Sequence, residues 1–242
     1  MLLGRRLEDP PLPGAVNMAR DELLLELQRA PTLRFYRWAQ PTLSLGYFQP
    51  AAGLPLEAVR ARGGEVVRRR TGGKAILHEH ELTYSLCAPE TGRLAGGPGC
   101  AIARVHDALG LALSGLAGTP VTRRGERLLA SDRPGSPWCF EDSSALDLVL
   151  DDRKLLGSAA RRRGGWILLH GSLVLKAPAE TPDIAALGPA PGSDLTPLLA
   201  AALEEFLGLA LEPARWPQAD AAAAAAAAAG READRTAAVS AR

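Results

Sequence analysis

Apolar residues recur at intervals of three and four positions in several parts of the chain, which is the spacing of one face of an α-helix. The first such part ends before Pro31, and Asn17 is predicted to cap its first turn. The same spacing continues over residues 102–116 and over residues 195–207. The sequence therefore predicts these three amphipathic helices and a shorter one at residues 56–62.

Alternating apolar and polar residues predict β-strands in the remainder of the chain. Glycine and aspartate pairs separate several of these strands, as they do in antiparallel hairpins. If the strand at residues 75–86 is unbroken, His78 and His80 lie on the same face. Strands and helices do not alternate strictly, which favours an α+β fold with a mixed β-sheet and flanking helices over a doubly wound sheet. The predicted strands are residues 33–38, 43–48, 65–70, 75–86, 146–150, 154–159 and 166–175.

The chain has 242 residues, of which 47% are hydrophobic, and this is enough for one buried core without a metal or disulfide. Its 28 basic and 27 acidic residues give a formal net charge of +1. A balanced charge argues against nucleic acid or a membrane surface as a partner. We expect one main domain at residues 1–213. The alanine-rich remainder, residues 214–242, is expected to form a disordered or helical tail.

Three cysteines occur without a Cys-x-x-Cys pair, which fits neither a disulfide framework nor a thiolate zinc site. A reducing cytoplasm is therefore the expected location. Residues 38–56 carry no charge, but three prolines make them a poor membrane helix. The run His78-Glu79-His80-Glu81 has no further ligand cluster beside it, so no metal site is predicted.

The first candidate site is a turn between two predicted strands, Arg68-Arg69-Arg70-Thr71-Gly72-Gly73-Lys74, followed by His78. Paired glycines let backbone N–H groups approach a ligand closely, and adjacent arginines can hold a phosphate or a carboxylate. A plain hairpin with a solvated arginine run explains the same pattern. The turn is not a Walker A loop, since Ala75 stands where that motif requires serine or threonine.

The second candidate site pairs Cys139 with Lys154, which begins the predicted strand Lys154-Leu155-Leu156-Gly157-Ser158-Ala159. Strand pairing can bring the amine close to the thiol although fourteen residues intervene. A proton shared by an isolated thiol and an isolated amine prefers the nitrogen by about 2.6 kcal/mol, which favours thiolate and ammonium. The alternative is a buried structural cysteine and a surface lysine.

These motifs, taken in order, resemble the lipoate and octanoate attachment family, which includes lipoate-protein ligases, octanoyltransferases and, more distantly, biotin-protein ligases. The resemblance covers about residues 14–175. It implies an α+β catalytic domain of the biotin/lipoate ligase type, at residues 1–213, that acts on a lysine of a lipoyl domain. The segments that carry it are Asn17-Met18-Ala19 with Asp21-Glu22, residues 33–47, residues 68–85 and residues 139–171.

Within that family the chain is more similar to the cysteine-dependent octanoyltransferases than to the ATP-using ligases. The ligase pattern Arg-Arg-x-x-Gly-Gly-Gly-x-Val-x-His is met, except that Lys74 replaces the third glycine and Ile76 the valine. The resemblance implies Cys139 and Lys154 as catalytic residues and no cofactor. It implies as substrate-binding residues Arg68, Arg69, Gly72, Gly73, His78, Gly157, Ser158, His170 and Gly171.

The implied reaction moves an octanoyl group from acyl carrier protein, through a thioester on Cys139, to a lysine of a lipoyl domain. The implied acceptors are lipoyl domains of 2-oxoacid dehydrogenases or the glycine cleavage H protein. Arginines at residues 68–70 and 161–163 are expected to face acidic carrier proteins, and a solvated turn is the alternative for the second cluster. Three other hypotheses stay open. They are a lipoate-protein ligase that needs ATP and Mg²⁺, an amidotransferase between lipoyl carrier proteins, and a non-catalytic carrier-binding module.

Overall fold

Two β-sheets organise the fold in the computed structural model, which describes residues 3–188 and 194–240. The strands are β1 Leu3–Glu8, β2 Thr32–Tyr36, β3 Thr42–Leu45, β4 Glu65–Arg68, β5 Ile76–His78, β6 Glu81–Pro89, β7 Thr122–Arg123, β8 Leu148–Leu150, β9 Arg153–Arg163, β10 Trp166–Val174 and β11 Ala210–Ala214. The large sheet has the order β11-β1-β2-β6-β10-β9-β8-β7, and the small sheet has the order β4-β3-β5. Both contain parallel and antiparallel pairs, so the predicted α+β fold with a mixed sheet is confirmed.

Helices cover both faces of the large sheet, and a short helix packs on the small sheet. The helices are α1 Gly14–Leu27, α2 Leu56–Ala61 on the small sheet, α3 Pro98–Ala117, α4 Thr196–Leu207 and α5 Gln218–Ser240, and a short 3-10 helix covers Gly92–Leu94. The apolar sides of α3 and α4 share the largest core with one face of the sheet, where Leu86 of β6 is buried. Side chains alternate along a strand, so Cys87 packs on the opposite face with Leu24 and Leu25 of α1.

Among the described residues, α3 is the one helix whose length and apolar composition would allow it to cross a membrane. Its residues Val105, Leu109 and Leu113 are fully buried against the sheet. Core helices of globular folds pass the same test of length and composition, so this feature alone carries little weight.

The structure corrects two details of the sequence analysis. The strand expected at residues 75–86 is broken at Glu79 and His80, because β5 joins the small sheet and β6 the large one. His78 and His80 therefore do not share the face of one strand. Asn17 does not cap α1, which begins at Gly14. Asn17 lies inside the helix, and its side chain donates to backbone carbonyl groups from within the core.

The alanine-rich segment forms part of α5 in the described residues. Ala224 and Ala228 are buried in a cluster that includes Ala15 and Met18 of α1. Arg29 and Asp220 form an ion pair at 2.5 Å beside this contact. The segment thus packs on the face of the sheet that carries α1, and the domain boundary at residue 213 stays a prediction.

Candidate active site

Cys139 and Lys154 come from different segments and lie in contact. The Cys139 N–H donates to the Ala75 carbonyl at 2.8 Å, and the Ala75 N–H donates to Pro137 at 3.0 Å, so the cysteine segment is tied to the chain after the glycine turn. Lys154 is the second residue of β9, and its side chain is 1% exposed. Its Nζ donates to the Cys139 carbonyl at 2.7 Å and to Cys139 Sγ at 3.4 Å. The structure therefore brings the predicted thiol and amine together.

The carboxylate of Asp147 completes the surroundings of the amine. Asp147 Oδ2 lies 2.8 Å from Lys154 Nζ, and the Ser144 backbone N–H donates to the same oxygen at 2.6 Å. Burial lowers the pKa of Lys154, but attraction to Asp147 and Cys139 outweighs it and holds that pKa above the ordinary value for lysine. Lys154 is thus an ammonium whose three N–H bonds point at Asp147 and at the carbonyl and sulfur of Cys139.

Gly157 leaves the space through which Lys154 reaches Asp147. The hairpin of β8 and β9 contains a bulge next to Leu148, and Asp147 and Gly157 come one residue beyond the Leu148–Leu156 pair. A Cβ atom at Gly157 would lie 2.7 Å from Lys154 Cε, 2.9 Å from its Nζ and 3.2 Å from Asp147 Oδ1. Contacts this short between non-bonded atoms are repulsive, so any larger residue at 157 would displace the lysine.

The two predicted arginines of the first candidate site hold backbone carbonyl groups. Arg69 is buried, and it donates to the Ser44 carbonyl at 2.9 Å, to Gly72 at 3.0 Å and to Lys74 at 2.6 Å. Arg68 donates to carbonyls of the neighbouring turn, with a distance of 2.6 Å to that of Gly46. Both guanidinium groups brace loops beside Cys139, and their predicted contact with substrate stays a prediction.

Lys74 joins the glycine turn to the cysteine segment. Its Nζ donates to the Ser136 carbonyl at 2.6 Å and forms an ion pair with Asp142. The turn is also packed tightly on its other side, because a Cβ atom at Gly46 would lie 1.7 Å from the Gly73 carbonyl oxygen. The residue that departs from the ligase pattern therefore closes this loop against the segment that carries the cysteine.

His78 belongs to a buried network on one side of the site. Its Nδ1 contacts the Glu81 carboxylate, its Nε2 lies 2.6 Å from Ser44 Oγ, and its ring stacks on Trp38 at 3.9 Å between centroids. Burial lowers the pKa of His78 more than Glu81 raises it, so the ring is neutral at pH 7. A carboxylate only accepts, so Nδ1 carries the proton and Nε2 accepts from the serine hydroxyl.

His170 connects the glycine turn to a buried ion pair. Its Nε2 lies 2.7 Å from Thr71 Oγ1, and its Nδ1 lies 3.3 Å from Asp21 Oδ2. Burial raises the pKa of Asp21, but the Arg34 guanidinium at 2.7 Å and the contact with His170 outweigh it and lower that pKa below the ordinary value. A charged carboxylate therefore fixes the histidine that holds the turn.

Ser158 is fixed by a third network, which reaches α3. Its hydroxyl oxygen lies 2.6 Å from His106 Nε2 and 2.9 Å from the Tyr84 hydroxyl. His106 Nδ1 donates to the Leu146 carbonyl at 2.6 Å, so the serine donates to Nε2. Burial lowers the pKa of His106, which keeps the ring neutral. A Cβ atom at Gly171 would lie 2.3 Å from Ser158 Oγ, so the glycine makes room for the hydroxyl.

A narrow cavity of about 50 Å³ with a mostly apolar lining opens beside Cys139. Lys154 contacts Cys139 without lining this cavity, and Arg68 and Gly72 also lie outside the lining. The predicted site residues that do line it are Arg69, Gly73, His78, Cys139, Gly157, Ser158, His170 and Gly171. The structure thus brings the two candidate sites of the sequence together around one cavity.

Several residues of the site were missed by the sequence analysis. Asp147 lies within the strand predicted at residues 146–150, whereas β8 begins at Leu148, and its partner depends on the register of a hairpin, which the sequence does not state. Tyr84 and His106 occupy positions in a strand and a helix where the pattern predicts apolar core residues. Their place in the site shows only in the structure, where both side chains contact Ser158. Among the side chains that the structure describes, in residues 3–188 and 194–229, no three His, Cys, Asp or Glu residues form a group that could hold a metal ion.

Residues 13–183 match the family model described as the lipoyl protein ligase A/B catalytic domain. The chain is 43% identical over 180 residues to octanoyltransferase LipM of Moorella thermoacetica. That alignment covers 72% of this chain and 64% of the relative, so the chain spans less than two thirds of the relative's length.

Two solved structures show the same fold. A lipoate-protein ligase A bound with ATP has a TM-score of 0.74 at 21% identity, and the match covers 94% of both chains. A bipartite lipoate protein ligase from Thermoplasma acidophilum, described with its E2 lipoyl domain, has a TM-score of 0.68 at 19% identity. That match covers 94% of this chain and 92% of the other.

Proposed function

The chain belongs to the lipoyl protein ligase A/B catalytic domain family, and from that premise we propose that it transfers an octanoyl group to a lysine of a lipoyl domain through a thioester on Cys139. One observation carries the proposal. The Cys139 sulfur lies 3.4 Å from a buried ammonium that is itself paired with Asp147, at the wall of an apolar cavity. An ammonium at this distance can stabilise negative charge on the sulfur, and the thiolate is the nucleophilic form of cysteine.

In the first step, the Cys139 thiolate attacks the carbonyl carbon of an octanoyl thioester carried by acyl carrier protein. A bond forms between Sγ and the carbonyl carbon, and the bond from that carbon to the donor sulfur breaks. The donor leaves as a thiolate and takes a proton from solvent. When the negative charge leaves Sγ, the third N–H of Lys154 is released, and it can donate to the carbonyl oxygen where charge develops.

In the second step, the neutral amine of the acceptor lysine attacks the thioester carbon. A carbon–nitrogen bond forms, the carbon–sulfur bond breaks, and Cys139 leaves as a thiolate beside the Lys154 ammonium. The surplus proton on nitrogen passes to solvent and balances the proton that the donor thiolate took up. Lys154 remains charged in both steps because Asp147 stays paired with it. It therefore stabilises negative charge on the sulfur and the carbonyl oxygen and does not act as a base.

Transfer from a thioester needs neither ATP nor Mg²⁺, because the acyl group arrives activated. The relative named octanoyltransferase, at 43% identity, supports this chemistry. The glycine turn supports it as well, because Lys74 ties that turn to Ser136 and Asp142 beside the cysteine. A ligase would have to accommodate an adenylate at this braced loop.

The proposed partners are acyl carrier protein as donor and lipoyl domains of 2-oxoacid dehydrogenases or the glycine cleavage H protein as acceptors. The Thermoplasma acidophilum ligase of the same fold is described with an E2 lipoyl domain, which supports that class of acceptor. A thiolate nucleophile also requires a reducing compartment, and we therefore place the reaction in the cytoplasm.

Intact mass spectrometry tests the proposal. The protein is incubated with octanoyl-acyl carrier protein without nucleotide, and a mass increase of one octanoyl group is expected. Cys139→Ala should abolish the adduct, whereas Cys100→Ser, which changes an exposed cysteine of α3, should retain it. Addition of a lipoyl domain should then remove the adduct and modify the domain.

Three results would contradict the proposal. Equal rates of octanoyl transfer by Cys139→Ala and the parent protein would exclude a thioester on Cys139 as the intermediate. Modification of the lipoyl domain only with ATP and free octanoate would identify a ligase. An adduct formed from an octanoylated lipoyl protein, and not from acyl carrier protein, would identify an amidotransferase.

A further inference from the structure

Two aromatic side chains project into solvent beside the cavity. Phe48 is 88% exposed and Tyr47 is 40% exposed, and their rings meet edge to face at 4.7 Å between centroids. They occupy the turn at residues 46–49, which we call the aromatic turn. Neither ring lines the cavity. Exposed aromatic pairs of this kind are costly to leave in water, and they are typical of surfaces that bind a partner.

The aromatic turn is held rigidly at the edge of the active site. Arg68 donates to three of its carbonyl groups, and the Tyr47 N–H donates to the Thr71 carbonyl in the glycine turn at 3.0 Å. The Gln49 side chain donates to the Pro137 carbonyl at 2.8 Å, two residues before Cys139. The turn is thus connected to both segments that form the cavity mouth. A surface fixed in advance loses less entropy when it binds.

The surface around the aromatic turn is positively charged. Arg68, Arg70 and Arg161 are exposed there, and Arg161 donates to the Arg70 carbonyl at 3.0 Å. Arg70 forms an ion pair with Glu22, whereas the guanidinium groups of Arg68 and Arg161 donate to backbone carbonyls. Exposed guanidinium groups at this surface favour an acidic partner.

We propose that the aromatic turn and these arginines are the docking site for the body of the acyl carrier protein that donates the octanoyl group. The inference rests on the proposed function and adds the surface that recognises the donor. The partner it requires is acidic and has an apolar patch that covers Phe48. Such a partner would deliver its thioester on a flexible arm from the rim of the cavity to Cys139.

The position of the turn favours the donor over the acceptor. The acceptor lysine has only its own side chain to reach Cys139, so the acceptor must lie directly over the cavity mouth. The donor's acyl group is carried on a much longer prosthetic arm, so its body can dock to one side. The aromatic turn lies beside the cavity and outside its lining, and this position favours the donor, whose body can dock to one side.

Phe48→Ser tests the inference by comparing two donors. One is octanoyl-acyl carrier protein, and the other is octanoyl-pantetheine, which presents the thioester without a protein body. At subsaturating donor, the rate at which Cys139 is acylated by the carrier should fall by about tenfold or more, as expected for an aromatic hot spot. Acylation by octanoyl-pantetheine should change by less than about twofold. Leu111→Ser, which changes a leucine of α3 that is 79% exposed, is the matched control and should acylate as the parent does with both donors.

Direct binding separates this inference from the proposed function. Fluorescence anisotropy of labelled holo-acyl carrier protein on the Cys139→Ala protein should show binding that Phe48→Ser weakens to a similar degree and that added salt also weakens. Unchanged acylation by the carrier in Phe48→Ser would overturn the docking site, and so would an equal loss with both donors. If Phe48→Ser slows only the transfer from the acyl-enzyme to the lipoyl domain, the surface binds the acceptor. That result would also overturn the docking site for the donor. Failure of the parent to form any adduct would refute the proposed function, whereas the anisotropy result would still decide the docking site.

Discussion

Asp147 is expected to hold Lys154 in its charged form, and Asp147→Asn in the Cys139→Ala protein tests this apart from catalysis. In that background the thiol is absent, so Asp147 is the partner that decides the charge of Lys154. The two side chains are 6% and 1% exposed. Removing one partner of such a buried ion pair costs about 3–5 kcal/mol, because the remaining charge is left without compensation.

That cost is large enough to measure by thermal unfolding. For a chain of this length, about 1 kcal/mol corresponds to a shift of about 2–4 °C, so the melting temperature should fall by about 6–20 °C at neutral pH. The control is Asp142→Asn in the same background. Asp142 pairs with Lys74 where both side chains are about one-third exposed (35% and 36%), so its removal should cost less than about 1 kcal/mol.

The pH dependence provides the sharper test. In the parent, Asp147 keeps the pKa of Lys154 above its ordinary value, so the stability from the pair is present at neutral pH and is lost only as the pH rises through that pKa. In the variant, burial acts on Lys154 without its carboxylate and lowers the pKa below the ordinary value. The unfolded variant then binds more protons than the folded one, so its stability rises with pH.

The deficit of the variant relative to Cys139→Ala should therefore be largest near about pH 6 and should shrink toward about pH 10. Urea unfolding followed by tryptophan fluorescence at each pH would measure it. A deficit that stays constant over this range would refute the assignment of charge to Lys154. A deficit no larger than that of Asp142→Asn would show that the buried pair contributes no more than an exposed one.

Two further changes test the geometry around the sulfur. Lys154→Met should slow the alkylation of Cys139 by iodoacetamide at pH 7 by at least about tenfold, because the thiolate loses its neighbouring cation. An unchanged rate would show that Lys154 does not activate the sulfur of Cys139. Gly157→Ala should reduce acylation at least about tenfold in a folded protein, since its Cβ would lie 2.7 Å from Lys154 Cε. The control Gly115→Ala places its Cβ in open space on α3 and should leave acylation unchanged while stabilising the helix by about 0.5–1 kcal/mol.

Much of the fold could be predicted from local patterns. The helix predicted at residues 102–116 appears within α3, because an apolar face repeated over four turns packs against the sheet and α4. The hairpin of β9 and β10 was predicted from Gly164 and Gly165, which both adopt the positive φ that its turn requires. The break at Glu79 and His80 could not be predicted. The alternation is the same on both sides of it, and the break depends on which sheet each half joins.

The part of the candidate site that depends on distinctive residue types could be predicted from the sequence. Cys139 and Lys154 are rare residue types in this chain, and their predicted pairing agrees with the 3.4 Å between Lys154 Nζ and Cys139 Sγ. Arg69 shows the limit of that approach. An arginine beside two glycines suggests an anion site, yet its guanidinium is directed at backbone carbonyls. Asp147 was missed because the bulge in the hairpin, rather than sequence spacing, aligns it with Lys154.

The contacts of three histidines in and beside the cavity lining support the proposal that Cys139 and its two partners carry the chemistry. In each of His78, His106 and His170, Nδ1 faces a carboxylate or carbonyl and Nε2 faces a serine or threonine hydroxyl. Both nitrogens of each ring are therefore occupied by groups that fix strands and loops, and none of these contacts is to the sulfur. A histidine base would need one free nitrogen directed at the reacting atoms. This agrees with the proposed mechanism, in which the proton balance passes through the departing thiolates and solvent while Lys154 remains charged.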